Sequence, residues 1–154
     1  MATVDRTSTQ KTSAFQAGRM FTIENTVSTV VATTLDVIKA LVIPKGTYVT
    51  RVYAKIVTAA DGGTSQTGDI GDTTDPNGWD NQIDLKATAG TETVSAAGTD
   101  AYHPTGKGRD MLDGKAYASE GEITVTVTLG GTVPTVGSLR VIALCTPYPL
   151  IGSY

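Results

Sequence analysis

The stretch "EITVTVTLGG", residues 122–131, decides the fold. Ile123, Val125, Val127 and Leu129 alternate with Thr124, Thr126 and Thr128, a period of two that no helix can place on one face. Nearly every position is β-branched, and such side chains suit a pleated, half-buried surface. Gly130-Gly131 ends the run. The same signature recurs in both directions along the chain. In "YVTRVYAKIV" (48–57), Val52, Ala54 and Ile56 oppose Arg51, Tyr53 and Lys55. In "MFTIENTV" (20–27), Phe21 and Ile23 alternate with Thr22 and Glu24. "SLRVIALCT" (138–146) is apolar on both faces, which predicts a central strand, and Pro147 and Pro149 forbid its regular continuation. "TLDVIKALVI" (34–43), stopped by Pro44-Lys45-Gly46, reads as a buried strand rather than a helical turn.

Weaker strands are expected over 64–70, 81–88, 91–96 and 114–119, with a long loop over 97–115 where Gly98, Pro104, Gly106 and Gly108 cluster. Asp61-Gly62-Gly63 is expected to make a hairpin turn. The strands at 122–129 and 138–146 are expected to pair with each other through the 130–137 connection. Residues 1–18 are polar and without periodicity. They predict an extended arm, unstructured alone, whose removal would spare the fold of a single domain over 19–154. Eight or nine short strands with no long helix make an all-β, antiparallel two-sheet sandwich, jelly-roll-like in kind.

Composition narrows the function. The chain has 154 residues, a formal net charge of −3 and 18% charged residues. The densest basic cluster is Lys107 and Arg109, too thin for phosphate binding, so no nucleic-acid partner is expected. No apolar run reaches the ~20 residues of a membrane span, and no apolar signal segment opens the sequence. Synthesis in a cytoplasm is the expectation. The single cysteine, Cys145, lies in an apolar run and reads as a buried, inert thiol. The single histidine, His103, reads as a loop residue, because a triad or a zinc site would need partners that the chain does not offer.

The stretch "GDIGDTTDPNGWD" (68–80) carries four aspartates. Asp75, Asn77 and Gly78 fit part of a calcium-loop pattern, but no closing Glu follows and no helices flank it. A looser calcium site would draw on Asp69, Asp72, Asp75 and Asp80. The competing reading is a solvated hairpin connection: Asp-Pro-Asn-Gly is favourable turn chemistry, with Trp79 folding back as an anchor at the sandwich edge. Four carboxylates on a solvated turn lack the desolvation that acid/base catalysis needs. No catalytic, cofactor-binding or metal-binding residue is assigned.

Three stretches together resemble a known group. They are "LDVIKALVIPKGTYVTRVYAKIVTAADGGT", "GDIGDTTDPNGWDNQIDLKATAGT" and the late strand "LRVIALC". The shared features are Ile43, Pro44, Gly46, Thr47 and Val49 at a turn into a strand, then Gly71, Asp72 and 75–79, then 87–91. This pattern, over about residues 34 to 145, resembles small β-sandwich virion proteins of tailed bacteriophages. The resemblance implies a capsid decoration (cement) protein, a minor head protein or a tail component, located in the virion at the capsid surface. The implied partners are the major capsid protein and further copies of the chain, a trimer being favoured. No cofactor and no enzymatic activity are implied.

Two other features bear on that role. The end of the chain, "TPYPLIGSY", places Tyr148, Leu150, Ile151 and Tyr154 either against a neighbour or over the protomer's own core. A tail-associated receptor- or carbohydrate-binding module is the alternative function, with Trp79, Tyr102 and Tyr117 as its aromatic candidates.

Overall fold

Alternating side chains sort the chain into eleven strands among the described residues, which in this computed structural model are 1–12, 20–94 and 114–147. In chain order they are β1 (Thr3–Asp5), β2 (Lys11–Thr12), β3 (Phe21–Ser28), β4 (Asp36–Ile43), β5 (Thr47–Thr58), β6 (Ser65–Gly71), β7 (Asp80–Asp84), β8 (Glu92–Val94), β9 (Lys115–Tyr117), β10 (Gly121–Gly130) and β11 (Ser138–Pro147). A single 3-10 turn, Thr7–Thr9, separates β1 from β2.

The strands form two sheets. One has the order β1-β4-β10-β6-β7; the other has the order β2-β3-β11-β5-β8, with β9 also paired to β5. All pairs are antiparallel except β1 with β4. With β1 and β2 set aside, and β8 and β9 taken as two pieces of one edge, this is the two-by-four strand order of a jelly roll. The expected all-β sandwich is what the chain forms, and β11 is central in its sheet as its apolar run predicts.

The core lies between the sheets. Ile123, Val125 and Val127 of β10 face Val52, Ala54 and Ile56 of β5 and Leu139, Val141 and Ala143 of β11, all buried. β4 needs one irregularity to contribute fully. Its register with β10 jumps between Ile123 and Thr124, so Ala40 is an extra residue and both Ala40 and Leu41 are buried. This bulge resets the inward phase so that Ile38 and Ile43 both reach the core. It is also why residues 34–43 show no clean alternation in sequence.

Two expected connections are different in kind. Asp61-Gly62-Gly63 joins β5 in one sheet to β6 in the other, so it is an arch rather than a hairpin. β10 and β11 likewise lie in opposite sheets and do not pair; residues 131–137 arch over between them. The two arches meet. A Cβ on Gly62 would sit 2.6 Å from Pro134 N, and one on Gly63 would sit 2.4 Å from the Gly130 carbonyl oxygen. Glycine is required there for the close approach of two segments of the chain, and Gly63 also for its positive φ of 39°. The Asp61 carboxylate closes the contact, accepting from the Thr135 amide at 2.7 Å, the Val136 amide at 3.0 Å and the Thr135 hydroxyl.

That clip predicts an acid response. The Thr135 hydroxyl and the Val136 and Thr135 amides pull the Asp61 pKa from 3.8 down to about 2. A lowered folded-state pKa means that the contribution to stability is complete above 3.8 and is lost as pH falls toward about 2. Asp61→Asn is expected to melt earlier at neutral pH and to show a shallower fall in Tm through that acid window. An acid limb as steep as that of the parent protein would remove Asp61 from the account.

Of the arm expected over 1–18, residues 13–18 lie outside the described residues. Residues 1–12 are polar and partly extended, but they are docked on the sandwich. β1 adds to the free edge of β4, and β2 pairs with β3 at Lys11↔Glu24 and Thr12↔Ile23, so the arm crosses from one sheet to the other. Side-chain amides hold the crossing. Gln10 both donates to the Val42 carbonyl (3.0 Å) and accepts from the Val42 amide (2.6 Å), acting as one more strand residue. Asn25, 3% exposed, donates to the carbonyls of Arg6 and Ala40 and accepts from the Thr9 hydroxyl.

At the opposite edge, β7 stops at Asp84, earlier than the predicted 81–88 strand, and Leu85 turns inward. Gln82 has a positive φ of 57° and its amide donates to Asp69 Oδ1 at 2.7 Å. The register of β7 with β6 shifts there, which protects this sheet edge against further pairing.

Candidate protein interface

The acidic stretch 68–80 lies at the end of the sandwich opposite the arches, as the β6–β7 hairpin connection. Its four aspartates go to separate tasks. Asp69 accepts from the Gln82 amide and Asp80 from the Asn81 amide. The Asp75 carbonyl accepts from the amides of Asp72 and Gly78, closing the turn. A Cβ on Gly71 would lie 2.1 Å from that same carbonyl, so the turn is wound tightly over glycine.

Asp72 is 4% exposed. Its Oδ1 accepts from the Thr74 and Asp75 amides at 2.8 and 3.0 Å, and its Oδ2 meets Lys115 Nζ and the Tyr117 hydroxyl. Burial pushes the Asp72 pKa up, but the Lys115 ammonium and the two amides outweigh it, so the carboxyl stays below its ordinary value and ionised. The group ties the loop to β9. Among the described residues, no three His, Cys, Asp or Glu side chains converge as a metal site would require.

The aromatic candidates do not form a platform. Trp79 is fully buried in the core, deeper than the edge position expected of it, and Tyr117 is buried beside Asp72. Tyr102, His103, Lys107, Arg109 and the tail residues Tyr148, Leu150, Ile151 and Tyr154 lie outside the described residues. Cys145 is buried at the inner face of β11, where burial pushes its thiol pKa up to about 12.

The surface suited to contact is the outer face of the β2-β3-β11-β5-β8 sheet. The strand register sets its side chains in rows. Leu144 of β11 lies between Thr22 and Arg51, Ile142 between Glu24 and Tyr53, and Arg140 between Thr26 and Lys55. Leu144, Ile142 and Tyr53 are only half-buried, and Val57 at the end of β5 is 44% exposed. Charged groups surround them. Arg140 pairs with Glu24, and Lys55 with Glu92 at 3.1 Å. Among the described residues, Lys11 and Arg51 have no carboxylate within salt-bridge distance. A shallow groove of about 580 Å³ runs between the arm and this face, past Lys11, Glu24, Arg140 and Val57. A second depression of about 180 Å³, lined by Tyr53, Lys55 and Ile142, meets it at Arg140.

An apolar centre with a charged rim is the anatomy of a contact surface. The other sheet's outer face is plainer: Thr67, Asp69, Thr126 and Thr128 form its middle, and Lys39 pairs with Glu122 at 2.6 Å. The sequence did carry a sign of the contact face. "VIALC" (141–145) is apolar at both phases of the alternation, and the outward phase, Ile142 and Leu144, is the half-exposed one.

Two solved structures share the fold. A chain in the capsid of Ralstonia phage GP4 superposes with a TM-score of 0.65 at 15% identity, over 99% of this chain and 100% of that one. A chain in the cyanophage Pam1 capsid asymmetric unit superposes with a TM-score of 0.60 at 15% identity, over 89% of this chain and 90% of that one. No protein-family model and no curated protein matches the sequence.

Proposed function

We propose that this protein is a structural component of a phage virion, and specifically a capsid decoration (cement) protein bound to the outside of the major capsid shell. The observation that carries this reading is the extent of the fold likeness. The chain matches a phage-capsid chain over its whole length, with almost nothing left over on either side. The resemblance of residues 34–145 to small phage β-sandwich proteins supports it from sequence. Adhesion of this kind requires area and complementarity, not a reactive pocket.

The proposed partners are the major capsid protein and further copies of the chain, in a trimer. The receptor- or carbohydrate-binding alternative is the weaker reading, because two of its three aromatics are inside the protein.

The test is to purify shells from a phage that lacks this gene, add the protein back, and reconstruct the particles. Regular density on the outer shell surface is expected, together with a higher melting temperature of the decorated shells. Absence of the protein from purified wild-type virions, or its presence only at the tail, would refute the proposal.

A further inference from the structure

The outer face of the six-stranded sheet is the strongest unassigned feature of the molecule, and we infer that it is the surface that seats on the shell, against an acidic protein patch. The inference rests on the virion reading above and adds to it the face and the chemistry of its partner.

Three observations carry it. First, Leu144, Ile142 and Tyr53 sit side by side on neighbouring central strands, half-exposed, where side chains already ordered by the sheet lose little freedom on binding. Second, among the described residues four cations and two carboxylates surround them: Lys11, Arg51, Lys55 and Arg140 against Glu24 and Glu92. Two ion pairs consume Lys55 and Arg140, which leaves Lys11 and Arg51 as the excess charge. Third, the chain as a whole is acidic, with a formal net charge of −3, so this face runs against the sign of the rest.

Complementarity then specifies the partner. It presents carboxylates on either side of an apolar contact. Lys11 on β2 and Arg51 on β5 are three strand spacings and one row apart, which places the two anionic positions roughly 15 Å from each other. Two copies of this face pressed together would oppose like charges, which argues against a symmetric self-contact. The described face measures on the order of 500 Å². That is below the ~800 Å² per partner of a standard stable interface, so many copies on one lattice, rather than one tight contact, suit it.

The experiment measures binding of variants to purified shells that lack the protein, with circular dichroism and a melting curve for each variant to establish folding. Lys11→Glu with Arg51→Glu, and separately Tyr53→Ser with Ile142→Thr, are each expected to weaken binding at least tenfold. Wild-type binding is expected to fall steeply with added salt. The control Thr126→Glu with Thr128→Glu, on the opposite face, is expected to bind as wild type.

Wild-type binding that survives both face variants but fails in the control would overturn the face while leaving the virion reading intact. Failure of the wild-type protein itself to bind shells would overturn the virion reading, and the face with it. A dimer in sedimentation that the face variants dissolve would assign the face to a second copy and overturn the acidic partner. Tighter shell binding by a chain ended at Pro147 would show that residues 148–154 cover the face, and would also overturn it.

Discussion

Removal of residues 1–12 is expected to lower the melting temperature by roughly 6–24 °C and to make the protein aggregate. The arm closes one whole side of the sandwich, and its loss acts in three places. The β1 ladder on β4 disappears, as do both bonds between Gln10 and Val42. Asn25 keeps its place in the interior but loses the Arg6 carbonyl and the Thr9 hydroxyl. A buried amide left short of partners costs about 1–3 kcal/mol, and each lost hydrogen bond about 0.5–1.5 kcal/mol. Together these amount to roughly 3–6 kcal/mol, or about 2–4 °C per kcal/mol for a chain of this size. The edges of β3 and β4 are then bare, side by side, and open to pairing with other chains. Calorimetry and size-exclusion chromatography of the shortened protein measure both effects. A monomer that melts within about 2 °C of the full chain would bear out the expectation that the arm is dispensable to the fold.

Trp79→Ala is expected to cost about 3–5 kcal/mol, the range for emptying a large aromatic site in a packed core. Trp79 is 0% exposed and its amide donates to the Ile70 carbonyl at 2.8 Å, so the ring is fixed between the sheets by the start of β7. Trp79→Phe is expected to cost much less. The indole N–H meets no acceptor among the described residues, so the smaller ring gives up volume without giving up a hydrogen bond. Chemical denaturation of the two variants separates these terms. Equal losses from Ala and Phe would mean that the site collapses freely and that Trp79 is not a packing anchor.

The fold was readable where one strand's own alternation decides its place. β3, β5 and β10 show their inner faces in sequence because the sandwich is only two layers thick and each strand buries one side. The connections were not readable. Asp61-Gly62-Gly63 has the chemistry of a hairpin turn, but its course is set by Gly130, Pro134 and Thr135, some seventy residues later. The arm was opaque because its contacts run through main chain and through the amides of Gln10 and Asn25, which leave no hydrophobic period.

The acidic loop shows the same limit. The turn over Asp75–Gly78 is local and was legible, whereas the carboxylate of Asp72 is spoken for by Lys115 and Tyr117, 43 and 45 positions away. A spacing rule for metal loops cannot see such partners. The contact face was half legible: the outward apolar phase of β11 is in the sequence, but its row with Tyr53, and the two cations that meet no carboxylate among the described residues, exist only once the strands are in register.

Apart from the β6–β7 turn, every connection that lies wholly within the described residues passes from one sheet to the other. Neither layer is thus a contiguous piece of polypeptide that could assemble first and wait for its counterpart. Distant segments must close large loops before either layer gains its ladder, and the entropy of that closure is spent before contacts repay it. The kinetic consequence is a chain that folds slowly and as one unit, without a stable half-formed sandwich along the way.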